Sequence, residues 1–168
     1  VAQWNAEGLR NKKPELQEFL RKNNIDVICI QETHLKDPMR FFMRGYEAFR
    51  QDREDRHKGG IITLIKTSIP VAEVHRSGKE ELEHLTVKLL LPSGDLLITN
   101  CYSPRASVLG LHKVKPEASR HLVVGDFNSH SPTWGYDELD PRGEEVEDWM
   151  MENQLVLINQ PGDKPTCY

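Results

Sequence analysis

No stretch of this 168-residue sequence is apolar for long enough to cross a membrane; the longest runs, such as Ile61-Ile62-Thr63-Leu64-Ile65, end after a few residues. Cysteine is scarce. Cys29, Cys101 and Cys167 are odd in number and form no CxxC pair, which argues against a disulfide scaffold and a thiolate zinc site. Reduced thiols acting as small core residues fit better, and so does a reducing, intracellular compartment. An excess of one charge is also lacking. Twenty-two Lys and Arg face 26 Asp and Glu, for a net charge of −4. A globally basic nucleic-acid binder is thereby excluded, and any contact with a polyanion has to use local patches or a metal ion. Repeats and low-complexity linkers are absent, and 38% hydrophobic residues exclude a disordered chain.

What is present alternates between strand and helix patterns. The length suits one domain over residues 1–168. Residues 1–5 read as a short strand, cut from a longer polypeptide. Residues 14–23 read as a helix, with Leu16, Phe19 and Leu20 on one face. Residues 25–31 (IDVICIQ) form an apolar, β-branched run expected to be a buried strand. Further strands are expected at 46–50, 61–66, 71–75, 82–91, 96–102, 121–125 and 155–158. Pro92-Ser93-Gly94-Asp95 is a turn, so the strands on either side of it read as a hairpin. The charged stretch 51–58 reads as a solvated loop ending at Gly59-Gly60, and 106–119 has room for a short helix. Asp140-Pro141 reads as an N-cap and first helical residue, followed by an apolar stripe of Val146, Trp149 and Met150. Strands linked both by a hairpin and by helices imply an α/β or α+β sandwich with mixed sheets.

Polar residues close four of the apolar strands, where open sheets place ligand sites. They are Asn5 and Glu7 in WNAEG, Glu32 in QET, Asn100 and Tyr102 in NCYSP, and Asp126 and Asn128 in GDFN. Taken singly, a carboxylate after a strand is an ordinary loop residue. Four such ends together, without Cys or His clusters, form a hard oxygen donor set suited to Mg²⁺ or Mn²⁺. Such an ion offsets phosphate charge, Asp126 is suited to take a proton from water, and Asn128 and Tyr102 are suited to hold phosphate oxygens.

Four motifs in this order resemble the endonuclease/exonuclease/phosphatase superfamily: WNAEGLR (4–10), CIQETHL (29–35), NCYSP (100–104) and VVGDFNSHSPTWG (123–135). The finer resemblance, through GDFNSHSPTWG and KPELQEFLRKNNIDVICIQETHLK, is to the endonuclease domains of jockey-like or R1-like non-LTR retrotransposons. The resemblance implies a DNase I-like four-layer sandwich of two mixed sheets flanked by helices. It also implies a nuclear, Mg²⁺-dependent endonuclease that nicks DNA to leave a 3′ hydroxyl for target-primed reverse transcription. On the matching positions, Asn5 and Glu32 are metal-site residues, with Glu7 at a further acidic position that many retrotransposon relatives lack. Tyr102 and Asn128 contact phosphate, and Asp126 positions or activates water.

The family pattern continues into a late Ser-Asp-His-type motif, which this sequence, ending at PTCY, does not contain. The chain is therefore expected to lack its C-terminal strands, and to self-associate through the sheet edge this leaves. That gap keeps a second reading open: an inactive remnant that binds nucleic acid or protein. The best local basic patch is Arg10, Lys12 and Lys13, beside the expected metal site. With His130, these residues are the candidate DNA contacts. His34 and Lys36, just after Glu32, are candidates for phosphate contact but read more strongly as a solvated loop, and Trp134 reads as packing under the GDFN loop.

Overall fold

The β-branched runs become strands and the stripes with helical spacing become helices, as their periods require. The structure, a computed structural model, describes residues 1–53, 58–77, 82–116 and 120–159. The strands are β1 (Ala2–Asn5), β2 (Val27–Gln31), β3 (Tyr46–Gln51), β4 (Ile61–Lys66), β5 (Val71–Arg76), β6 (Glu83–Leu89), β7 (Leu96–Tyr102) and β8 (His121–Asp126). The helices are α1 (Lys13–Lys22) and α2 (Pro141–Glu152). Short 3₁₀ turns lie at Arg10–Lys12, Leu111–Lys113 and Pro132–Trp134; the second is all the helix that 106–116 contains.

Two four-stranded sheets form, in the orders β1-β2-β4-β3 and β5-β6-β7-β8. Both are mixed. β1 runs parallel to β2 and β7 parallel to β8, while the other pairs are antiparallel. Strand β2 is buried throughout because its alternate residues enter different layers. Ile28 and Ile30 meet Leu16 and Leu20 of α1, whereas Val27 and Cys29 meet Leu85, Val87 and Ile98 of the other sheet. On the far side, Val146 and Trp149 of α2 pack with Cys101. The layers are thus α1, first sheet, second sheet, α2. Burying one leucine stabilises by about 1.5–3 kcal/mol, so Leu16 and Leu20 hold a ten-residue helix that would be marginal alone.

Helix α2 begins as its sequence dictates: Pro141 is its first residue, and the Asp140 carboxylate accepts the Gly143 N–H at 2.6 Å. Its end corrects an expectation. Residues 155–158 form no strand. Gln154 adopts a left-handed φ of 53° and the Leu155 N–H bonds to the Met150 carbonyl, an αL termination that turns the chain away. Val156 and Ile158 are consequently exposed. Cys29 and Cys101 are free and buried, and burial pushes the Cys29 thiol up to about 12, so both act as core residues. Cys167, the PTCY ending and residues 54–57 of the charged loop lie outside the described residues.

Candidate active site

The two parallel pairs create the site. Parallel strands finish at the same end, so Asn5 of β1 stands in register with Gln31 of β2, one residue before Glu32. In the second sheet Tyr102 of β7 stands in register with Asp126 of β8. β1 and β2 pack against β7 and β8. Four strand ends therefore meet on one rim of the sandwich.

One amide joins them. Asn5 Nδ2 donates to Glu32 Oε1 at 3.0 Å and to Asp126 Oδ2 at 2.7 Å. Its oxygen is fixed in turn, because Asn5 Oδ1 accepts the Glu7 N–H at 3.1 Å. The Asn128 N–H donates to the other Asp126 oxygen at 3.0 Å. The Tyr102 hydroxyl donates to Glu32. Two carboxylates, one from each sheet, thus share one amide donor.

The electrostatics follow. Burial alone raises the Glu32 carboxyl, but hydrogen bonds from Asn5, Tyr102 and His34 outweigh it and hold the group below its ordinary value. Burial pushes the Tyr102 hydroxyl well above its usual range, and the charges of Glu32, Asp126 and Glu83 push it further. Tyr102 therefore remains a proton-bearing donor at any physiological pH.

Backbone strain collects at the same rim. Glu7, Glu32, His34 and Asn128 all have φ between 42° and 51°, in the left-handed region. Non-glycine residues rarely occupy it, and such residues cluster at functional sites. Neighbouring segments hold them there. The Gly8 N–H bonds to the Glu32 carbonyl at 2.8 Å, and the Thr33 and His34 N–H groups bond to the Gly60 and Gly59 carbonyls at 3.0 Å. Gly60 has φ 84°, and a Cβ on it would lie 2.7 Å from Thr33 Oγ1, so this close approach requires glycine. The Gly60 N–H donates to buried Glu83, which also pairs with Arg53 at 3.1 Å.

Sequence reasoning missed three supports. Glu83 carried no signal beyond its place at a strand start. Arg142 looked like an ordinary helix residue, yet its guanidinium bonds to the carbonyls of Phe127, Asn128 and Ser107 and to Ser103 Oγ. It ties the loops after β7 and β8 together. His34 is half-buried, with Nε2 3.4 Å from Glu32 Oε2, rather than part of a solvated loop. Its place two residues after Glu32, opposite the glycine pair, was the only available hint.

The other expected residues lie as follows. Glu7 contributes its N–H; its side chain is exposed and bonds to none of the described site residues. Asn128 Nδ2 donates to the Ser103 carbonyl at 3.0 Å, and its Oδ1 accepts from Arg105 at 3.2 Å, leaving one amide proton for a ligand. Arg10 is exposed. Lys12 donates to the Ala6 carbonyl and sits 5.7 Å from the Trp4 ring centre. Lys13 lies over Phe41 and Phe42. His130 stacks on Tyr136 at 4.3 Å and approaches Asp140 at 3.5 Å, beside the cap of α2. Trp134 is half-buried beneath the loop after β8, donating to the Ser129 carbonyl at 3.2 Å.

The donors suit a hard cation. Two carboxylates set either side of one amide, without thiolate, leave most of a coordination shell to water and phosphate oxygens. Among the described residues, no group of three His, Cys, Asp or Glu side chains can hold a metal ion. The set therefore fits an ion that accepts one or two carboxylates, such as Mg²⁺ or Mn²⁺, and not a closed zinc site.

Known proteins resemble this chain in sequence and in fold. A family model described as "Endonuclease/Exonuclease/phosphatase family" matches residues 2–165. The RNA-directed DNA polymerase from mobile element jockey of Drosophila melanogaster is 24% identical over 173 residues, covering 100% of this chain and 19% of its own. The probable RNA-directed DNA polymerase from transposon X-element of the same species is 26% identical over 174 residues, covering 98% of this chain and 19% of its own. The chain thus spans about a fifth of the length of these curated relatives. Among solved structures, the endonuclease domain of TRAS1, a telomere-specific non-LTR retrotransposon, superposes with a TM-score of 0.73 at 18% identity, over 97% of this chain and 74% of that one. The fold is the DNase I-like sandwich of two mixed sheets.

Proposed function

Since this chain belongs to the endonuclease/exonuclease/phosphatase family, we propose that it is a Mg²⁺- or Mn²⁺-dependent endonuclease domain of a non-LTR retrotransposon. In this reading it nicks a DNA phosphodiester bond in the nucleus and leaves a 3′ hydroxyl that primes reverse transcription. The observation that carries the reading is the Asn5 amide bridging Glu32 and Asp126, with the Tyr102 hydroxyl beside them. The four left-handed residues around these carboxylates support it, since such strain concentrates at functional sites.

Each residue has a role. Glu32, oriented by Asn5, would hold the ion, and Glu7, exposed on the loop after β1, would be a second acidic group for it. The ion, when bound, supplies Lewis-acid neutralisation of phosphate charge. Asp126 accepts the proton of the attacking water, its carboxylate fixed from both sides by Asn5 and Asn128. Tyr102 and the remaining Asn128 amide proton donate to phosphate oxygens and stabilise their charge as the bond breaks. Arg10 makes the most available contact to the DNA backbone. Lys12 and Lys13 bring their charge to the same side, and His130 flanks the groove.

The test is nicking of supercoiled plasmid by this chain, alone and joined to the part of the TRAS1 endonuclease domain that it does not cover. Open circles that require Mg²⁺ and vanish in EDTA and with Asp126→Ala are expected. Absence of nicking in both forms would overturn the reading.

A further inference from the structure

Beside the site lies a cleft of about 290 Å³, walled by Arg10, Lys13, Leu35, Met39, Arg40 and Phe41. It is close to the chemistry: Leu35 is three residues from Glu32, so their Cα atoms lie within roughly 11 Å. Its charge is one-sided. Between residues 33 and 46, Asp37 is the only acid against Lys36, Arg40 and Arg44. Neither Arg10 nor Arg40 forms an ion pair with a described residue, although the chain as a whole is acidic. At the rim stands Phe42, 68% exposed, and Lys13 Nζ lies 5.8 Å from the Phe41 ring centre and 5.9 Å from that of Phe42. The Phe42 ring is thus left in water under the Lys13 ammonium, next to a cleft lined by two further cations, Arg10 and Arg40.

Cations interleaved with exposed aromatic rings recognise a nucleic-acid strand whose bases are free to stack. A paired base offers no open face to such a ring. We propose that this cleft takes one unpaired nucleotide of the DNA strand flanking the cleaved bond, with its phosphate on Arg10 and Arg40 and its base on the ring of Phe42. The assignment rests on the DNA-nicking reading and deepens it. It makes locally melted or single-stranded flanks part of what the protein recognises.

The test uses the full chain and a single-stranded oligonucleotide carrying one 2-aminopurine, in EDTA so that nothing is cleaved. Anisotropy reads binding, and quenching of the analogue reads stacking. The parent chain is expected to bind and quench. Phe42→Ala is expected to bind roughly 5- to 150-fold more weakly and to lose the quenching, while Phe42→Tyr keeps both. Replacing Arg10 and Arg40 together with alanine is expected to lower the slope of log affinity against log salt by about 1.4. Because Phe42 is largely exposed, its replacement leaves the core intact. Phe42→Ala binding and quenching like the parent would overturn the assignment, and so would binding of duplex alone, unaffected by Phe42→Ala. If the parent nicks plasmid while Phe42→Ala has no effect on the oligonucleotide, the cleft assignment alone falls. If the parent does not bind DNA and plasmid is nicked neither by it nor by the joined form, the underlying reading falls with it.

Discussion

Asn5→Asp changes almost no volume and replaces a two-way donor with a third carboxylate. The new oxygen stands where the amide nitrogen lies 3.0 Å from Glu32 and 2.7 Å from Asp126. At about 3 Å two unit charges repel by roughly 5.5 kcal/mol at an effective dielectric constant of about 20, and by about 1.4 kcal/mol in bulk water. Protonation caps the penalty. Holding one proton at pH 7 on a carboxyl with an ordinary pKa near 4 costs about 4 kcal/mol, and beyond that the cluster takes up a proton instead. Asn5→Asp is therefore expected to lose about 4 kcal/mol of unfolding free energy at pH 7. The sign of the pH dependence follows. The new carboxyl has a folded pKa above its unfolded one, so the penalty is complete above the raised value and fades as the pH falls. At about pH 4.5 the deficit shrinks to about 1 kcal/mol. Urea unfolding in EDTA, followed by tryptophan fluorescence at both pH values, measures this. A variant within about 1 kcal/mol of the parent at pH 7, or a deficit that does not narrow in acid, would refute the amide bridge.

Other consequences are as direct. Gly125 precedes Asp126, and a Cβ on it would lie 2.2 Å from the Cys101 carbonyl oxygen, so Gly125→Ala pushes β8 away from β7. We expect a loss of about 1–3 kcal/mol and, through misplacement of Asp126, a nicking rate roughly 100-fold lower; parent-like kinetics and melting would contradict this. Glu32 has a folded pKa below its unfolded one, so its stabilisation is present above the unfolded value and disappears as the pH falls through the lower folded one. Denaturation of the parent and Glu32→Gln across acid pH should therefore show curves that converge toward low pH, and a gap that widens there would argue against it. Among the described residues β1 and β8 each have one unpaired edge, so light scattering is expected to find self-association that grows with concentration; a monomer at every concentration would remove that expectation.

Much of the fold was legible because its signals are local. IDVICIQ and HLVVGD are apolar on both faces, and such runs become strands only where layers cover both sides, as they do for β2. Asp140-Pro141 marked the start of α2 to the residue. The strand-end polar residues were visible as candidates, because a polar residue closing a buried run stands out. Less legible were the groups whose role depends on distant partners. Arg142 joins a loop 14–15 residues away to one 35–39 residues away, and Glu83 meets Gly60 across the sandwich. No local pattern encodes either contact. Lys12 looked like an available cation, but the 3₁₀ turn at Arg10–Lys12 folds its amine back onto the Ala6 carbonyl. Residues 155–158 have strand composition without a described strand to pair with, and composition cannot supply a partner.

The central claim is that the rim of Asn5, Glu32, Tyr102 and Asp126 cuts DNA to leave a primer end. The most direct measurement takes plasmid incubated with the chain and Mg²⁺, omits any phosphatase step, and asks whether a DNA polymerase extends the nick with labelled nucleotides. Immediate extension, absent with Asp126→Ala and with Glu32→Ala, is the predicted result. Nicks that need a phosphatase before they extend, or extension that survives both substitutions, would contradict the account.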